Sequence, residues 1–281
     1  MLRLSTLLLA CTLHVTSWAD APIEVVILCD AAYPPYSYAE GDEARGIYTD
    51  ILRVAFTRMP DYRVHIRPVP WARGLRELSQ GRALALYPPY RRPDERPWMD
   101  YSRPILRETL VVFVRAEVAR TLESEHFPQA YGSLRIGQNR GVINIVDQDY
   151  QVMLAKGELR QIYSKDNRTN LAMLYRGRLD AYINDRRAVL WELEQMQRDG
   201  VFEESALNWV VEGPWLSGEE GYLGYTRVNT STYPYKDDFK KRLDAVLLDL
   251  EREGVIYRIV RNYDALYPFN LQAAGIQGSG Q

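Results

Sequence analysis

The chain has 281 residues, with 35 Lys and Arg against 37 Asp and Glu and a formal net charge of −2. No basic block appears, which argues against a nucleic-acid partner or an anionic membrane surface. Two Cys and three His argue against a disulfide scaffold and a Cys/His zinc site, and no apolar run reaches the roughly 18 residues of a membrane span.

Residues 1–19 read as an export signal. Arg3 supplies the early charge, an apolar stretch runs from Leu4 to Val15, and Ser17-Trp18-Ala19 offers small residues for cleavage before Asp20. A competing reading takes Leu8-Leu9-Ala10-Cys11 as a lipobox that would lipidate Cys11, but the apolar stretch before Cys11 is short for that. The expectation is a soluble periplasmic protein. The mature chain keeps one cysteine, Cys29, read as a small buried hydrophobe on the first strand.

Residues 23–28 are apolar and rich in β-branched side chains, a buried strand. Residues 31–46, with Pro34, Pro35 and Gly41, read as a loop. Ile51, Val54, Ala55 and Met59 recur at helical spacing until Pro60. Tyr62, Val64 and Ile66 alternate as in a half-buried strand. Residues 71–80 read as a helix closed by Gly81. Residues 83–87 form a strand stopped by Pro88-Pro89, and residues 110–114 another. The pattern restarts near residue 134. Strands are expected at 134–137, 159–163, 179–183 and 209–211. Helices are expected at 145–156, at 168–176 with Asn167 as N-cap, and through Val189, Leu190, Leu193 and Met196 up to Gly200. A last apolar stripe, Phe239, Leu243, Val246, Leu247 and Leu250, predicts a core-facing helix capped by Asp237 or Asp238 and ended by Gly254.

Strands alternating with helices predict an α/β fold with mostly parallel sheets. An internal echo points to two similar lobes: Leu78-x-x-Gly81-Arg82-Ala83-Leu84-Ala85 resembles Leu174-x-x-Gly177-Arg178-Leu179-Asp180-Ala181. Open α/β sheets bind ligands beyond the carboxyl ends of their strands, so two facing lobes predict a central ligand cleft.

Enzyme motifs are missing from the sequence: it has no Gly-x-Ser-x-Gly elbow, dinucleotide fingerprint or Walker loop, and neither His65 nor His126 has metal spacing. The acid pairs Glu219-Glu220 and Asp237-Asp238 read as solvated caps, and no cofactor or metal is expected. Aromatic loops carry more signal. Tyr33-Pro34-Pro35-Tyr36 follows the first strand, Trp71 follows another, and Tyr87-Pro88-Pro89-Tyr90 repeats the style. Rings stiffened by proline at strand exits suit a wall that stacks on an organic ligand. Arg96, in what reads as a helix start, either grips a ligand carboxylate or makes a surface salt bridge. Asp185, at the end of a strand, either caps a helix or holds an ammonium. Arg140 sits in a strand-to-helix loop, where backbone N–H groups favour anions.

The order of these features resembles the family 3 bacterial extracellular solute-binding proteins. Six pieces carry the likeness: Tyr33-Pro34-Pro35-Tyr36, Gly46-Ile47-Tyr48-Thr49-Asp50-Ile51, the segment from Trp71 to Gly81, Glu95-Arg96 with Asp100-Tyr101-Ser102-Arg103-Pro104, Gly177-Arg178-Leu179-Asp180-Ala181 with Asn184-Asp185, and the segment from Phe239 to Tyr257. The resemblance implies a two-lobed periplasmic-binding-protein (Venus-flytrap, type II) fold. Lobe I would take residues 20–112 plus 213–281, lobe II residues 113–212, with crossing strands near 111–114 and 209–211. It implies that Arg96 binds an α-carboxylate, Asp185 an α-ammonium, that Tyr33 stacks on the ligand, and that Trp71 shapes its pocket. Tyr36 shares the first ligand loop.

Three departures stand out. Leu84 replaces an Asp, Pro89 and Arg91 replace small hydroxyl residues, and Gly141-Val142-Ile143 replaces Gly-Thr-Thr. With fewer hydroxyls and with Arg91 and Arg140 added, the cleft is expected to suit a more anionic or larger ligand. The function implied is non-enzymatic capture of a small polar metabolite, an amino acid or derivative, by lobe closure, by a monomer serving an inner-membrane ABC permease. A periplasmic dehydratase-like enzyme and a ligand sensor are the alternatives on the same fold.

Overall fold

The computed structural model describes residues 21–124, 126–140, 148–202 and 208–266. The expected export signal with Cys11, and the Gly141-Val142-Ile143 loop, lie outside the described residues.

The first strand, β1 (Ile23–Asp30), carries Val25, Ile27, Leu28 and Cys29 into the core. It continues into a small antiparallel ladder, β2 (Ala32–Tyr33), β3 (Ser37–Glu40) and β4 (Glu43–Arg45), where the sequence suggested only a loop. Helix α1 (Ile47–Thr57) then buries Ile47, Tyr48, Ile51, Leu52 and Ala55, one face at helical spacing. Strand β5 (Tyr62–Val69), helix α2 (Trp71–Ser79) and strand β6 (Ala85–Tyr87) follow as expected. The stretch holding Arg96 is a run of turns rather than a helix and leads to the short strand β7 (Met99–Tyr101), which the sequence did not signal.

Strand β8 (Leu106–Arg115) opens the second sheet, and the one-turn helix α3 (Ala116–Ala119) follows it. The elements β9 (Arg135–Asn139), α4 (Gln148–Ala155), β10 (Arg160–Ser164), α5 (Asn167–Tyr175), β11 (Ala181–Asp185) and α6 (Arg186–Arg198) repeat the strand–helix rhythm. Asp166, not Asn167, caps α5, accepting the Thr169 N–H at 2.8 Å. The long strand β12 (Val210–Gly221) returns to the first sheet through β13 (Gly224–Thr226). Helix α7 (Lys236–Arg252) buries the expected stripe, with Phe239 edge-on to Tyr62 at 5.0 Å between ring centres. Asp237 and Asp238 lie in its first turn, and Tyr235 is the N-cap. A further helix, α8 (Val255–Leu266), packs against α1 and α7.

One five-stranded sheet runs β5-β1-β6-β13-β7, the other β10-β9-β11-β8-β12. In each, the first three strands pair in parallel and the last two antiparallel, so the sheets are mixed rather than mostly parallel. Residues 111–114 of β8 form an unbroken apolar run because both faces of its sheet are covered. Val111 and Phe113 face α5 and α6, while Val112 and Val114 face Tyr131, Ile136 and Tyr150.

The internal echo maps onto equivalent places. Gly81 follows α2 and Gly177 follows α5, each at φ +67°, and each leads into the third strand of its sheet, β6 or β11. A Cβ at Gly81 would meet the Val228 carbonyl oxygen at 2.6 Å, whereas one at Gly200, also at positive φ, would meet open space. Gly200→Ala is therefore expected to cost the ordinary left-handed penalty of about 1–2 kcal/mol. Gly81→Ala is expected to cost distinctly more, because a fixed carbonyl must also move. Urea unfolding of the two variants measures the difference.

Candidate functional site

Strand ends of the two sheets face one another across a cleft of about 770 Å³, the size of an ordinary small-molecule site. From the first sheet come Asp30 at the end of β1 and Tyr90 beyond β6, with Trp71 at the start of α2, and the small ladder that follows β1 adds Tyr33 on β2. From the second come Asn139 and Arg140 at the end of β9, Lys165 beyond β10, and Asn184 on β11. These are the carboxyl ends of parallel strands, where open α/β sheets present their ligand groups.

Of the residues singled out in the sequence, Tyr33, Trp71, Arg96 and Arg140 line this cleft. The Arg96 guanidinium sits 5.8 Å from the Trp71 ring centre and reaches the Tyr90 carbonyl at 3.5 Å. Such stacking holds a cation without neutralising it. Burial pulls the Arg96 pKa down, and no described carboxylate lies within ion-pair distance. Tyr36, Arg91 and Asp185 do not line the cleft. Tyr36 is fully buried and stacks behind Tyr33, ring centres 5.1 Å apart, so it buttresses the wall. Arg91 points to solvent, and its neighbour Arg92 lines the cleft, paired with Glu219 at 2.8 Å. Asp185 is 1% exposed and caps α6: its carboxylate accepts the Ala188 N–H at 2.9 Å and the Thr109 N–H at 3.0 Å. Of the two roles open to it from sequence, helix capping is the one the geometry shows. Its pKa is raised by burial, against those two backbone hydrogen bonds.

Two acids that the sequence reading passed over matter more. Asp30 lines the cleft and accepts the Ala32 N–H at 3.0 Å, and burial pushes its pKa up to about 6. Its signal was available, as the first polar residue after the apolar run of β1. Glu108, on β8, is fully buried behind the cleft and accepts three phenol hydroxyls, from Tyr33, Tyr48 and Tyr90. It read as an ordinary charge ahead of an apolar run.

The cleft walls are balanced in charge. Arg92, Arg96, Arg140 and Lys165 face five acids, three of which already have basic partners: Glu40 with Arg45, Asp166 with Lys165, and Glu192 with Arg168. The expected bias toward an anionic ligand is therefore not seen in the lining. Lobe II contributes amides instead. The Asn167 carbonyl oxygen accepts from Asn139 at 2.5 Å and from Asn184 at 2.7 Å, and Asn184 also donates to Tyr182. These amides form a cross-linked polar patch opposite the aromatic wall, flanked by Arg140, Lys165, Asp166 and Glu192.

The other candidate chemistry is absorbed by structure. His65 pairs with Glu24 at 2.6 Å on the exposed face of β5, and Glu220 and Asp238 accept the hydroxyls of Tyr222 and Tyr62. Cys29 is buried and free, its thiol pKa raised by burial. Among the described residues no cluster of metal-ligating side chains occurs, and no helix is long and apolar enough to cross a membrane.

The sequence of residues 25–264 matches the bacterial extracellular solute-binding proteins, family 3. The chain belongs to that family. No curated protein matches it in sequence. Among solved structures it is similar to an arginine third transport system periplasmic binding protein from Legionella pneumophila. The TM-score is 0.62 at 15% identity, over 86% of this chain and 99% of that one. It is similar to a histidine kinase sensor domain with similarity to periplasmic binding proteins, at TM-score 0.64 and 14% identity, over 87% and 97%. It is also similar to an ancestral amino acid-binding protein, a precursor of cyclohexadienyl dehydratase, at TM-score 0.60 and 14% identity, over 85% and 94%. At such identities the likeness shows the fold, which is the two-lobed type II architecture of this family.

Removing the α6 cap gives a test of Asp185 that needs no ligand. Asp185→Ala is expected to lose about 1–2 kcal/mol of stability. Asp185→Asn, which keeps an acceptor oxygen for Ala188, is expected to lose less. Urea unfolding of the unliganded variants checks both.

Proposed function

We propose that the protein is an exported receptor that captures an amino acid or a close derivative in the cleft and delivers it to an ABC-type importer. The observation that carries this reading is a pair of uncompensated groups in one aromatic-walled cleft: the Arg96 guanidinium on Trp71, and the Asp30 carboxylate. Arg96 takes the ligand carboxylate through its planar fork. Asp30 takes a cationic group, an ammonium or guanidinium, and Tyr33 and Trp71 cover the ligand's apolar part. Arg140 and the amides of Asn139, Asn167 and Asn184 close over it from lobe II. The lobes, residues 20–112 plus 213–281 and residues 113–212, rotate about the paired strands β8 and β12. Residues 1–19 direct export and are removed before Asp20.

The reading is binding rather than turnover. Glu108 and Asp185, the most deeply buried acids beside the cleft, stand outside its lining and are held by phenols or backbone N–H groups, and Asp30, a lining acid whose pKa burial raises, is assigned here to the ligand's cationic group. The alternatives, a dehydratase-like enzyme and a sensor, share the capture step. Steady consumption of ligand would mark the first, and a signalling partner in place of a permease the second.

A thermal-shift and calorimetric panel of amino acids on residues 20–281 tests the proposal. A ligand at about 1,000 times its Kd adds roughly 4 kcal/mol, a shift of several degrees. Arg96→Ala is expected to weaken the hit by about 10- to 100-fold, the worth of a charged hydrogen-bonded contact. Asp30 ionises as pH rises through about 6, so a cationic ligand is expected to bind more tightly at about pH 7 than at about pH 5. Asp30→Asn is expected to flatten that dependence. Silence across the panel, or an affinity indifferent to Arg96, would overturn the reading.

A further inference from the structure

A buried polar cluster lies not in the cleft lining but directly behind it. Glu108 lies on β8, opposite Glu219 of β12, where the chain passes from the first sheet to the second. Its side chain is fully buried. Three phenols from three separate elements converge on it: Tyr33 of β2 at 2.5 Å, Tyr90 beyond β6 at 2.5 Å, and Tyr48 of α1 at 2.6 Å. The Tyr33 and Tyr90 hydroxyls also lie 3.1 Å apart. The second crossing strand makes room for this arrangement: a Cβ at Gly221, the last residue of β12, would lie 1.8 Å from the Tyr48 hydroxyl. A carboxyl buried this deeply persists only where its oxygens are satisfied, and here every partner is a lobe I tyrosine.

Two of those tyrosines, Tyr33 and Tyr90, line the cleft. We propose that Glu108 is a positioning residue that holds the rings of Tyr33 and Tyr90 in place and so sets the ligand-stacking wall from the strand joining the two lobes. This rests on the capture reading above and names a residue through which that site is built. Glu108 touches no ligand; it acts through the two rings.

The surroundings of Glu108 support a proton-dependent role. Burial, with the Asp185 carboxylate at the end of β11, pushes its pKa up to about 8, against the three phenol hydrogen bonds. Tyr36 also lies within the field of both acids, and across the strand Glu219 is tied to Arg92. As an acid, Glu108 donates a hydrogen bond from its own O–H to one phenol oxygen. As a carboxylate it can only accept. Each state therefore requires a different donor arrangement among the three hydroxyls, and the cleft rings feel the change. The sign for stability follows. A carboxyl whose folded pKa is raised contributes fully below its unfolded value, and the contribution is lost as pH rises toward and through about 8.

The test uses the full mature chain labelled with ¹³Cζ-tyrosine, the resonances assigned through Y33F, Y48F and Y90F. In the wild type the three resonances are expected to titrate together near pH 8. In Glu108→Gln that shared step is expected to vanish and the Tyr33 and Tyr90 signals to shift. Should that variant fail to fold, Tyr48→Phe removes one donor from the side away from the cleft and is still expected to move Tyr33 and Tyr90. The binding arm uses L-arginine and the remaining free amino acids in calorimetry. Glu108→Gln is expected to weaken a hit by about tenfold, and to add little in a Tyr33→Phe background, because the two residues act as one unit. A merely structural Glu108 would give independent, additive losses, and that result overturns the proposal, as do tyrosine resonances indifferent to Glu108. Moving resonances with no amino acid bound would overturn the capture reading and leave the positioning of the rings standing.

Discussion

The pairing of β8 with β12 is the contact from which the rest of the architecture follows. The two strands run antiparallel from Leu106 opposite Gly221 to Arg115 opposite Val210, side by side over the whole passage from one sheet to the other. The ladder is the edge of the second sheet, and its Leu106–Gly221 end is tied to the first sheet through the Tyr90–Gly221 bridge and the Ile105 N–H donated to the Gly221 carbonyl at 2.9 Å, so the second sheet cannot slide against the first without breaking backbone hydrogen bonds in a mostly buried setting. The ladder is not uniform. Register shifts between Glu212 and Trp215, and again between Trp215 and Gly218, interrupt it in the middle of β12. Bulges of this kind bend and twist a strand locally. The joint thus combines a fixed register at its two ends with a distorted centre.

The parallel strands of the two sheets point toward a common gap, so the carboxyl ends of β1, β6, β9 and β11 meet there. This explains why the cleft is lined by residues at strand ends, with Asp30 and Asn184 each directly following an apolar run. The two walls differ in kind. Lobe I presents aromatic faces, with Arg96 stacked on one of them, and lobe II presents asparagine amides locked to one another. Rings fixed by buried neighbours, and amides fixed by mutual hydrogen bonds, lose little freedom when a ligand arrives, so less of the contact energy is spent on ordering.

The buried acids show how position changes the meaning of one chemical group. Asp30 and Asp185 both end a strand, yet one faces the cleft and the other turns inward to cap α6 and tie it to Thr109. Glu108 precedes an apolar run like many surface charges and is nevertheless among the most enclosed residues of the chain. In each case the difference lies in which neighbours fill the space around the carboxyl: backbone N–H groups, phenols or open cleft.

The alternation of strands and helices, the core stripe of α7, the family membership and the echo between Gly81 and Gly177 were all legible in the sequence, because each is written in consecutive residues through period, glycine placement and local order. The small strands β7 and β13 were not, since three residues carry no period and are strands only through their partners. The site was half legible. Tyr33, Trp71, Arg96 and Arg140 announced themselves as aromatic or charged residues at strand exits. Glu108 did not, because its tyrosine partners lie 75, 60 and 18 residues away along the chain. Only the tertiary fold brings those partners to one carboxyl, and only the fold decides whether Asp30 or Asp185 faces a ligand, since a strand's last side chain points to cleft or core according to packing that no neighbouring residue encodes.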